Sequence, residues 1–257
     1  MPNVTGGLFM IGKAIRMQRI FRDDHKSVIS ALDFGAFAGT VRRIEKPRAI
    51  VQQIIKGGAD ALIMTPGFAR ATYDLFAGKA GLIMRVTGGC SKASKSDGLH
   101  TLTASVGEAN MLGADAVCNM IFVGHEREPR MFEIMQQLRE ECLRYGLVLV
   151  AELLPADFDN SYDPDLIDLC VRLGYEHGAD VIKTYYTPKN YHEIVTNCPV
   201  PVVMAGGPKD CGIYDYIGKA MHEGASGVAI GRNIFQSDDP ARTVADIVNI
   251  VHGEGRS

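Results

Sequence analysis

The sequence lacks the features of several protein classes. Its six cysteines form no Cys-x-x-Cys pair and no Cys/His cluster with zinc-like spacing. No apolar run approaches the roughly 18 residues that a membrane-spanning helix needs. Near the N-terminus the basic residues follow the short apolar stretch 8–11, which is the reverse of a secretory signal. Several cysteines fall inside apolar patterns, as small hydrophobes do in a reducing compartment, so we expect a cytoplasmic protein.

Charge and length narrow the possibilities further. The formal net charge is −3 over 257 residues, which gives no electrostatic reason to expect nucleic acid or an anionic membrane as a partner. The composition, 46% hydrophobic and 22% charged, is ordinary for a globular protein. A single α/β barrel commonly uses about 250 residues. We therefore expect residues 1–257 to form one domain.

Short apolar segments alternate with longer segments of helical period. The apolar segments are nearly continuous hydrophobics, which is typical of parallel strands covered on both faces. Eight are strand candidates: Val28–Asp33, Ala61–Thr65, Leu82–Val86, Ala116–Phe122, Leu147–Leu153, Asp180–Tyr185, Val200–Ala205 and Gly227–Ile230. Eight strand–helix units predict a single (β/α)8 TIM barrel, with residues 1–27 covering its floor. An open doubly wound sheet is the alternative.

The helical segments carry their own signals. Asp163-Pro164 and Asp239-Pro240 each place a capping carboxylate before a proline of the first turn. Apolar stripes are predicted at Leu166, Leu169, Cys170 and Leu173 and at Val244, Val248 and Val251. A recurring helix-to-strand turn, with glycine closing the helix, marks repeated units at Gly58-Ala59-Asp60, Gly113-Ala114-Asp115, Gly178-Ala179-Asp180 and Gly224-Ala225-Ser226.

Polar residues and glycines cluster where the predicted strands end. In a TIM barrel the site lies at the carboxyl ends of the strands. The candidate ends are Asp33, Thr65, Arg85 with Thr87, Asn119, Glu152, Lys183, Gly206 with Gly207, and Gly231 with Arg232.

Lys183 is the sharpest of these signals, because it lies inside an apolar strand pattern. Burial disfavours a charged lysine, so we expect its pKa to fall and to leave a free amine. A free amine beside a carbonyl group forms an imine. The alternative is a structural lysine paired with a carboxylate such as Glu152 or Asp33.

The glycines after strands seven and eight indicate a phosphate site. Gly206, Gly207 and Gly231 allow backbone N–H groups to approach an anion, and Arg232 adds a guanidinium fork. Tight turns and a surface arginine are the alternative. The small, basic loop 87–96 is either a lid or a plain solvated loop.

Asp33 and Glu152 are the acid–base candidates, because proton transfer needs a carboxylate or phenol within hydrogen-bond reach. Glu152 is an isolated charge in an apolar strand and needs a partner or a role. Tyr185 and Tyr186 are alternatives, although such tyrosines more often belong to the core. His125 could line the mouth of the barrel.

Several segments together resemble the class I (Schiff-base) aldolase superfamily of deoxyribose-phosphate aldolase and archaeal-type fructose-bisphosphate aldolase. They are Lys183–Tyr186, Cys198–Val203, Ala205–Lys209, Gly224–Val228 and Gly231–Gln236. The amino-acid sequences of these segments are most similar to those of the 3-hydroxy-5-phosphonooxypentane-2,4-dione thiolase branch. The resemblance implies Lys183 as the imine-forming lysine, phosphate at Gly206-Gly207 and Gly231-Arg232, no metal, and a homo-oligomer, often a decamer.

Two departures from the family pattern affect the expected activity. The family often shows Asp-His-Gly after the first strand, where this chain has Asp33-Phe34-Gly35. The fructose-bisphosphate branch has a Tyr-Pro-Arg-Gly stretch after the fifth strand, where this chain has Leu154-Pro155-Ala156. The second departure argues against ordinary fructose-1,6-bisphosphate cleavage.

The sequence thus predicts a metal-free carbon–carbon lyase or transferase acting on a small phosphorylated ketone or ketose. A thiolase-like reaction would add coenzyme A as co-substrate, and a fructose-bisphosphate-type or related phosphosugar aldolase is the alternative within the family. A non-covalent phosphosugar isomerase and a non-catalytic phosphometabolite-binding barrel are alternatives of other classes.

Overall fold

The computed structural model describes residues 9–94, 100–207 and 212–253. The end of the predicted loop at Lys95-Ser96, the motif end Pro208-Lys209, Cys211 and the first eight residues of the N-terminal extension lie outside this part of the chain.

Ten strands are present in the described residues. They are β1 Ser27–Ala31, β2 Ala61–Met64, β3 Gly81–Arg85, β4 Thr87–Gly88, β5 Thr101–Leu102, β6 Ala116–Val123, β7 Val148–Pro155, β8 Val181–Thr184, β9 Val202–Ala205 and β10 Gly227–Ile230. Eight of them close into a parallel barrel in the order β1-β10-β9-β8-β7-β6-β3-β2. The predicted TIM barrel is confirmed. The sequence did not predict the short antiparallel pair β4–β5.

Helices connect the strands. They are α1 Phe9–Ile20, α2 Gly35–Ala38, α3 Pro47–Gly57, α4 Pro66–Phe76, α5 Val106–Met111, α6 Glu128–Tyr145, α7 Pro164–Glu176, α8 Tyr191–Thr196, α9 Ile213–His222, α10 Arg232–Phe235 and α11 Pro240–His252. The predicted caps are confirmed: Asp163 accepts the backbone N–H groups of Asp165 and Leu166, and Asp239 accepts that of Arg242. No helix within the described ranges is long and apolar enough to cross a membrane.

One predicted stripe is confirmed and the other only in part, since Cys170 is buried and Leu173 packs against the core but Leu169 does not. Val244, Val248 and Val251 of α11 are buried. On α7 the buried face consists of Ile167, Cys170, Val171 and Gly174, whereas Leu169 is 43% exposed. Gly174 sets this rotation, because a Cβ there would lie 2.8 Å from Leu153 Cδ1. The helix therefore packs closest to the barrel on the side of its small residue.

Side chains on the strands alternate between two cores. Those facing inward form a narrow apolar column: Ile29, Ala31, Ala61, Ile63, Ile83, Ala116, Cys118, Val148, Val150, Val181, Val203 and Ala229. Those facing outward pack under the helices in a much larger cluster. Polar inward-facing residues occur above the column, at the carboxyl ends of the strands, so the column forms the base of any site there.

The recurring Gly-Ala-Asp turns hold the opposite end of the barrel. Their glycines have positive φ angles, between 78° and 89°, and Gly224 of the related Gly-Ala-Ser turn has 109°, as the sequence predicted. Each aspartate accepts a backbone N–H from the start of a neighbouring strand, and each also pairs with a cation of the N-terminal segment. The ion pairs are Lys13–Asp180 at 2.6 Å, Arg19–Asp115 at 3.1 Å and Arg22–Asp60 at 2.5 Å. Residues 13–22 therefore contact the amino-terminal ends of three strands.

Candidate active site

A cavity of about 450 Å³ opens at the carboxyl ends of the barrel strands. All the residues that the sequence predicted for catalysis and phosphate binding line it: Asp33, Glu152, Lys183, Gly206, Gly207, Gly231 and Arg232. Thr65 and Asn119, two other polar strand ends, do not. The inward-facing strand ends thus converge on one space.

Four charged side chains form a continuous row at the base of this cavity. Glu152 and Lys183 are direct neighbours in the register of β7 and β8, so their inward-facing side chains meet. Lys183 Nζ lies 2.7 Å from Glu152 Oε1. Arg85 donates through Nη2 to the other oxygen of Glu152 and through Nε to Asp33 Oδ2, at 2.6 Å for the second bond. The row therefore runs Lys183–Glu152–Arg85–Asp33, with two positive and two negative charges.

Burial and neighbouring charges act against each other at Glu152. Burial by itself would raise the pKa of its carboxyl, but the charges and hydrogen bonds of Lys183 and Arg85 outweigh burial and lower it to about 2. Glu152 is therefore a carboxylate at neutral pH. In the resting site it can accept a proton but has none to donate.

Lys183 satisfies both interpretations of the sequence at once. It has the carboxylate partner that a structural lysine would have, and that partner is Glu152. Its side chain nevertheless lines the cavity, and the residue is only 5% exposed. The paired lysine therefore faces the space in which a carbonyl compound would bind.

The predicted phosphate residues form one corner of the cavity, after β9 and β10. Gly231 must lack a side chain, because a Cβ there would lie 2.8 Å from the carbonyl oxygen of Ala31. The Arg232 guanidinium lies over the Phe34 ring, 5.4 Å from its centroid, a cation–π geometry. No carboxylate of the described residues pairs with Arg232, in contrast to Arg85. Phe34, which stands where the family often has histidine, thus packs against a cavity arginine that has no carboxylate partner among the described residues.

The structure places the three other side chains that the sequence suggested for the site in different environments. Tyr185 lines the cavity, and burial chiefly raises its pKa to about 12. His125 lines the cavity mouth. Tyr186 as an acid–base residue is wrong: it is buried in the helix-facing core, and its hydroxyl donates to Glu223 Oε1 at 2.8 Å. Alternation along the chain places adjacent tyrosines on opposite faces.

Comparison with known proteins places this geometry in a family. The model of the DeoC/LacD family aldolases matches residues 20–237. The chain belongs to the DeoC/LacD aldolase family. The predicted resemblance to class I aldolases is confirmed, and the protein is an enzyme of the Schiff-base aldolase type.

The relatives of this aldolase carry different names. It is 34% identical to 2-amino-3,7-dideoxy-D-threo-hept-6-ulosonate synthase 1 of Archaeoglobus fulgidus, over 95% of this chain and 93% of that one. It is 31% identical to the 3-hydroxy-5-phosphonooxypentane-2,4-dione thiolase of Salmonella paratyphi A, over 94% of this chain and 82% of that one. Near-equal identity to a synthase and a thiolase gives the family but not the individual reaction.

One solved relative contains a covalent intermediate on its catalytic lysine. The aldolase superposes with a TM-score of 0.86 on an archaeal fructose-1,6-bisphosphate aldolase whose catalytic lysine is covalently bound to the carbinolamine intermediate of its substrate. That structure is 28% identical and is matched over 94% of this chain and all of the other. Class I aldolases use such a lysine in place of a metal ion.

Two important cavity residues have no role predicted from the sequence. Arg85 is a polar strand end that follows Leu82-Ile83-Met84, so it is an isolated charge in an apolar strand just as Glu152 is in β7. That shared pattern was a usable signal. His100 gave no signal, because it follows a small, polar loop. It enters the cavity through the β4–β5 pair, and burial and the charge of Arg85 lower its pKa to about 4.

Proposed function

We propose that this aldolase forms a Schiff base between Lys183 and a small phosphorylated ketone or ketose, and breaks or makes the adjacent carbon–carbon bond. The observation that carries the proposal is the position of Lys183. Its ammonium nitrogen lies 2.7 Å from a carboxylate at the base of a cavity that also contains an arginine without a carboxylate partner in the described residues.

The phosphate is held at the corner formed by Gly206, Gly207, Gly231 and Arg232. Supporting this are the close backbone approach at Gly231 and the stacking of Arg232 on Phe34. A guanidinium fork holds phosphate oxygens in two places. Binding energy at the phosphate, remote from the reacting carbons, fixes the carbonyl group next to Lys183.

Glu152 acts first as a base. It accepts a proton from Lys183 across their short contact, which leaves the amine lone pair free to add to the ketone carbon. The resting pKa of Glu152 is about 2 largely because of the charge of Lys183, and that charge disappears as the proton moves, so the basicity of Glu152 rises during the transfer. The alkoxide formed by the addition takes a proton from the attached nitrogen, which gives the carbinolamine. The proton held by Glu152 then passes to the carbinolamine hydroxyl, which leaves as water and gives the iminium ion. Arg85 holds the second oxygen of Glu152 throughout, so the carboxylate keeps its orientation.

The iminium ion accepts the electron pair when the neighbouring carbon–carbon bond breaks, and an enamine results. A second group must remove the proton from the hydroxyl of the departing fragment. Asp33 is the sequence-predicted candidate, and it lines the cavity while bonded to Arg85. His100 is a second candidate, since its lowered pKa leaves the imidazole unprotonated at neutral pH.

The relatives' names suggest two outcomes for the enamine and its partner. An aldolase or synthase outcome exchanges an aldehyde with the enamine carbon. A thiolase outcome transfers an acyl fragment to coenzyme A, as the name of the Salmonella relative implies for that protein. The apolar Leu154 in the cavity favours neither the aldolase nor the thiolase outcome. It stands where the fructose-bisphosphate branch has a tyrosine, which supports the expectation that ordinary fructose-1,6-bisphosphate cleavage is not the main reaction. Three sequence predictions stay predictions. They are the cytoplasmic location, the assembly into a homo-oligomer such as a decamer, and the single domain over residues 1–257.

Borohydride trapping tests the proposal. The protein is incubated with dihydroxyacetone phosphate or hydroxyacetone phosphate, reduced, and analysed by mass spectrometry. We expect a reduced adduct on the peptide that contains Lys183. Lys183→Met should abolish the adduct, whereas Lys219→Met, on an exposed part of α9, should leave it intact.

Absence of any adduct in the wild type, together with turnover of phosphosugars, would favour a non-covalent isomerase. Phosphate-dependent binding with neither adduct nor turnover would favour a binding protein. Full turnover by Lys183→Met would end the mechanism.

A further inference from the structure

The cavity wall across from the phosphate corner differs sharply from that corner. Around the barrel the phosphate corner lies at β9 and β10, and the strands on the far side are β6 and β3. Arg85 and Glu152 of the charge row lie at the base of this wall, and Thr87 and His125 also line it. The other side chains there are mainly apolar or aromatic: Met120, Phe122, Leu154 and Phe158, beside the ring of His100. Above the charge row the far wall is therefore more apolar than the phosphate corner.

Three rings on the far wall contact one another edge to face. The Phe122 and His100 centroids are 5.6 Å apart, with the rings inclined by 82°. The Phe122 and Phe158 centroids are 6.1 Å apart, with the rings inclined by 75°. This arrangement is the favourable geometry of aromatic pairs.

Phe158 is 72% exposed although it borders the cavity. With Met120, Phe122 and Leu154 it forms a contiguous apolar patch, and such a patch beside a cavity is typical of a surface that binds an apolar group. Nothing in the packing of the described residues requires phenylalanine at this place, because most of its ring faces solvent. A contact with a ligand accounts for it.

Among the described residues the far wall offers a second phosphate only one lysine or arginine, Arg85, whose Nε and Nη2 already pair with Asp33 and Glu152 and whose buried Nη1 has no hydrogen-bond partner. Of the described lining residues, the lysines and arginines are Arg85, Lys183 and Arg232, and the first two belong to the charge row. Placing a phosphate dianion against Phe122 and Phe158 would remove its water without replacing those hydrogen bonds.

We propose that the carbonyl fragment exchanged with the enamine is an unphosphorylated, apolar aldehyde, with an aromatic or branched aliphatic group that binds against Phe122 and Phe158. This inference rests on the proposed function at Lys183 and names the substrate class of its second half. In the synthetic direction the enamine carbon bonds to the aldehyde carbon. The aldehyde oxygen takes up one proton, which balances the proton that the ketone-derived iminium ion loses from carbon when it becomes the enamine. Water then hydrolyses the new iminium ion and releases the product from Lys183.

Competition between aldehydes tests the inference. The wild type is supplied with dihydroxyacetone phosphate or hydroxyacetone phosphate, whichever gives the borohydride adduct, and with either 3-phenylpropanal or glyceraldehyde 3-phosphate. We expect kcat/KM for 3-phenylpropanal to exceed that for glyceraldehyde 3-phosphate at least tenfold, about the discrimination that one or two buried apolar groups provide.

Variants of the far wall sharpen the result. Phe158→Ala should lower kcat/KM for 3-phenylpropanal about tenfold while the yield of the ketone adduct is retained. Phe158→Lys should shift the preference toward glyceraldehyde 3-phosphate. Tyr73→Ala is the matched control, because Tyr73 is 65% exposed and lies outside the cavity.

The two proposals fail in different ways. A missing adduct with either ketone removes the Schiff-base mechanism before any aldehyde is tested. A normal adduct together with preferred use of glyceraldehyde 3-phosphate, or with equal rates for Phe158→Ala and the wild type on 3-phenylpropanal, would overturn the apolar-aldehyde inference alone.

Discussion

Replacing Glu152 with glutamine tests the charge row most directly, because the side chain keeps its size and loses its charge. In the folded protein the pKa of Glu152 is about 2, compared with an ordinary value of 4.5. At about 1.4 kcal/mol for each tenfold change in proton affinity, this difference corresponds to about 3 kcal/mol of folding free energy. Removal of one partner from a buried ion pair costs about 3–5 kcal/mol, which agrees in size.

The pH dependence follows from the direction of the shift. A lowered folded-state pKa contributes stability that is fully present above pH 4.5 and is lost as the pH falls toward 2. The wild type should therefore be more stable than Glu152→Gln by about 3 kcal/mol at pH 7. The gap should shrink steadily below pH 4.5, because protonated glutamic acid and glutamine are both neutral.

Urea unfolding followed by circular dichroism, repeated from pH 7 down to pH 3, measures this gap. Glu133→Gln is the matched control, since Glu133 is 60% exposed in a surface pair with Arg130. Its effect should stay within about 0.5 kcal/mol. The rate of adduct formation should also fall by about 10²–10⁴-fold in Glu152→Gln, because the variant has no base beside Lys183. A stability gap that is constant between pH 7 and pH 3 would refute the assigned pairing.

Two further predictions concern the ends of the barrel. Arg232→Ala should weaken the binding of inorganic phosphate, measured by calorimetry, by about 10–100-fold, which is the value of a hydrogen bond to a charged group. Arg242→Ala is the control, because the Arg242 guanidinium pairs with Asp246. Equal phosphate affinities of Arg232→Ala and the wild type would contradict the phosphate corner. At the floor, burial lowers the pKa of His252, but hydrogen bonds to Asp60 and Asp24 outweigh burial and raise it. The stabilisation of the wild type over His252→Gln should therefore be complete below pH 6.5 and disappear as the pH rises through the raised value, and a gap that grows toward pH 9 would contradict this.

The elements that the sequence predicted correctly share a local cause. Each barrel strand is a short apolar run bounded by turn residues, and each Gly-Ala-Asp turn needs a left-handed glycine. Such signals lie within a few residues of one another. Lys183 belongs to the same group, because a charge inside an apolar strand is visible without the fold.

What the sequence could not supply depends on contacts between distant segments. On α7 the sequence offers two apolar faces, and only the close approach of Gly174 to Leu153 selects the one without Leu169. Arg85 and Glu152 are 67 residues apart, so their hydrogen bond requires the barrel to close. His100 and Phe158 follow irregular loops and carry no periodic pattern, and the apolar wall that they form with Phe122 is visible only in three dimensions.

The three aspartates at the floor have a consequence for how such an enzyme can change. Asp60, Asp115 and Asp180 tie the strand beginnings to residues 13–22, whereas Lys183 lines the cavity at the carboxyl ends of the strands. The residues that anchor the fold and the residues proposed to make and break bonds thus lie at opposite ends of the barrel. New loops can be tried at the reactive rim, to admit aldehydes of other shapes, while the anchored rim keeps the chain folded.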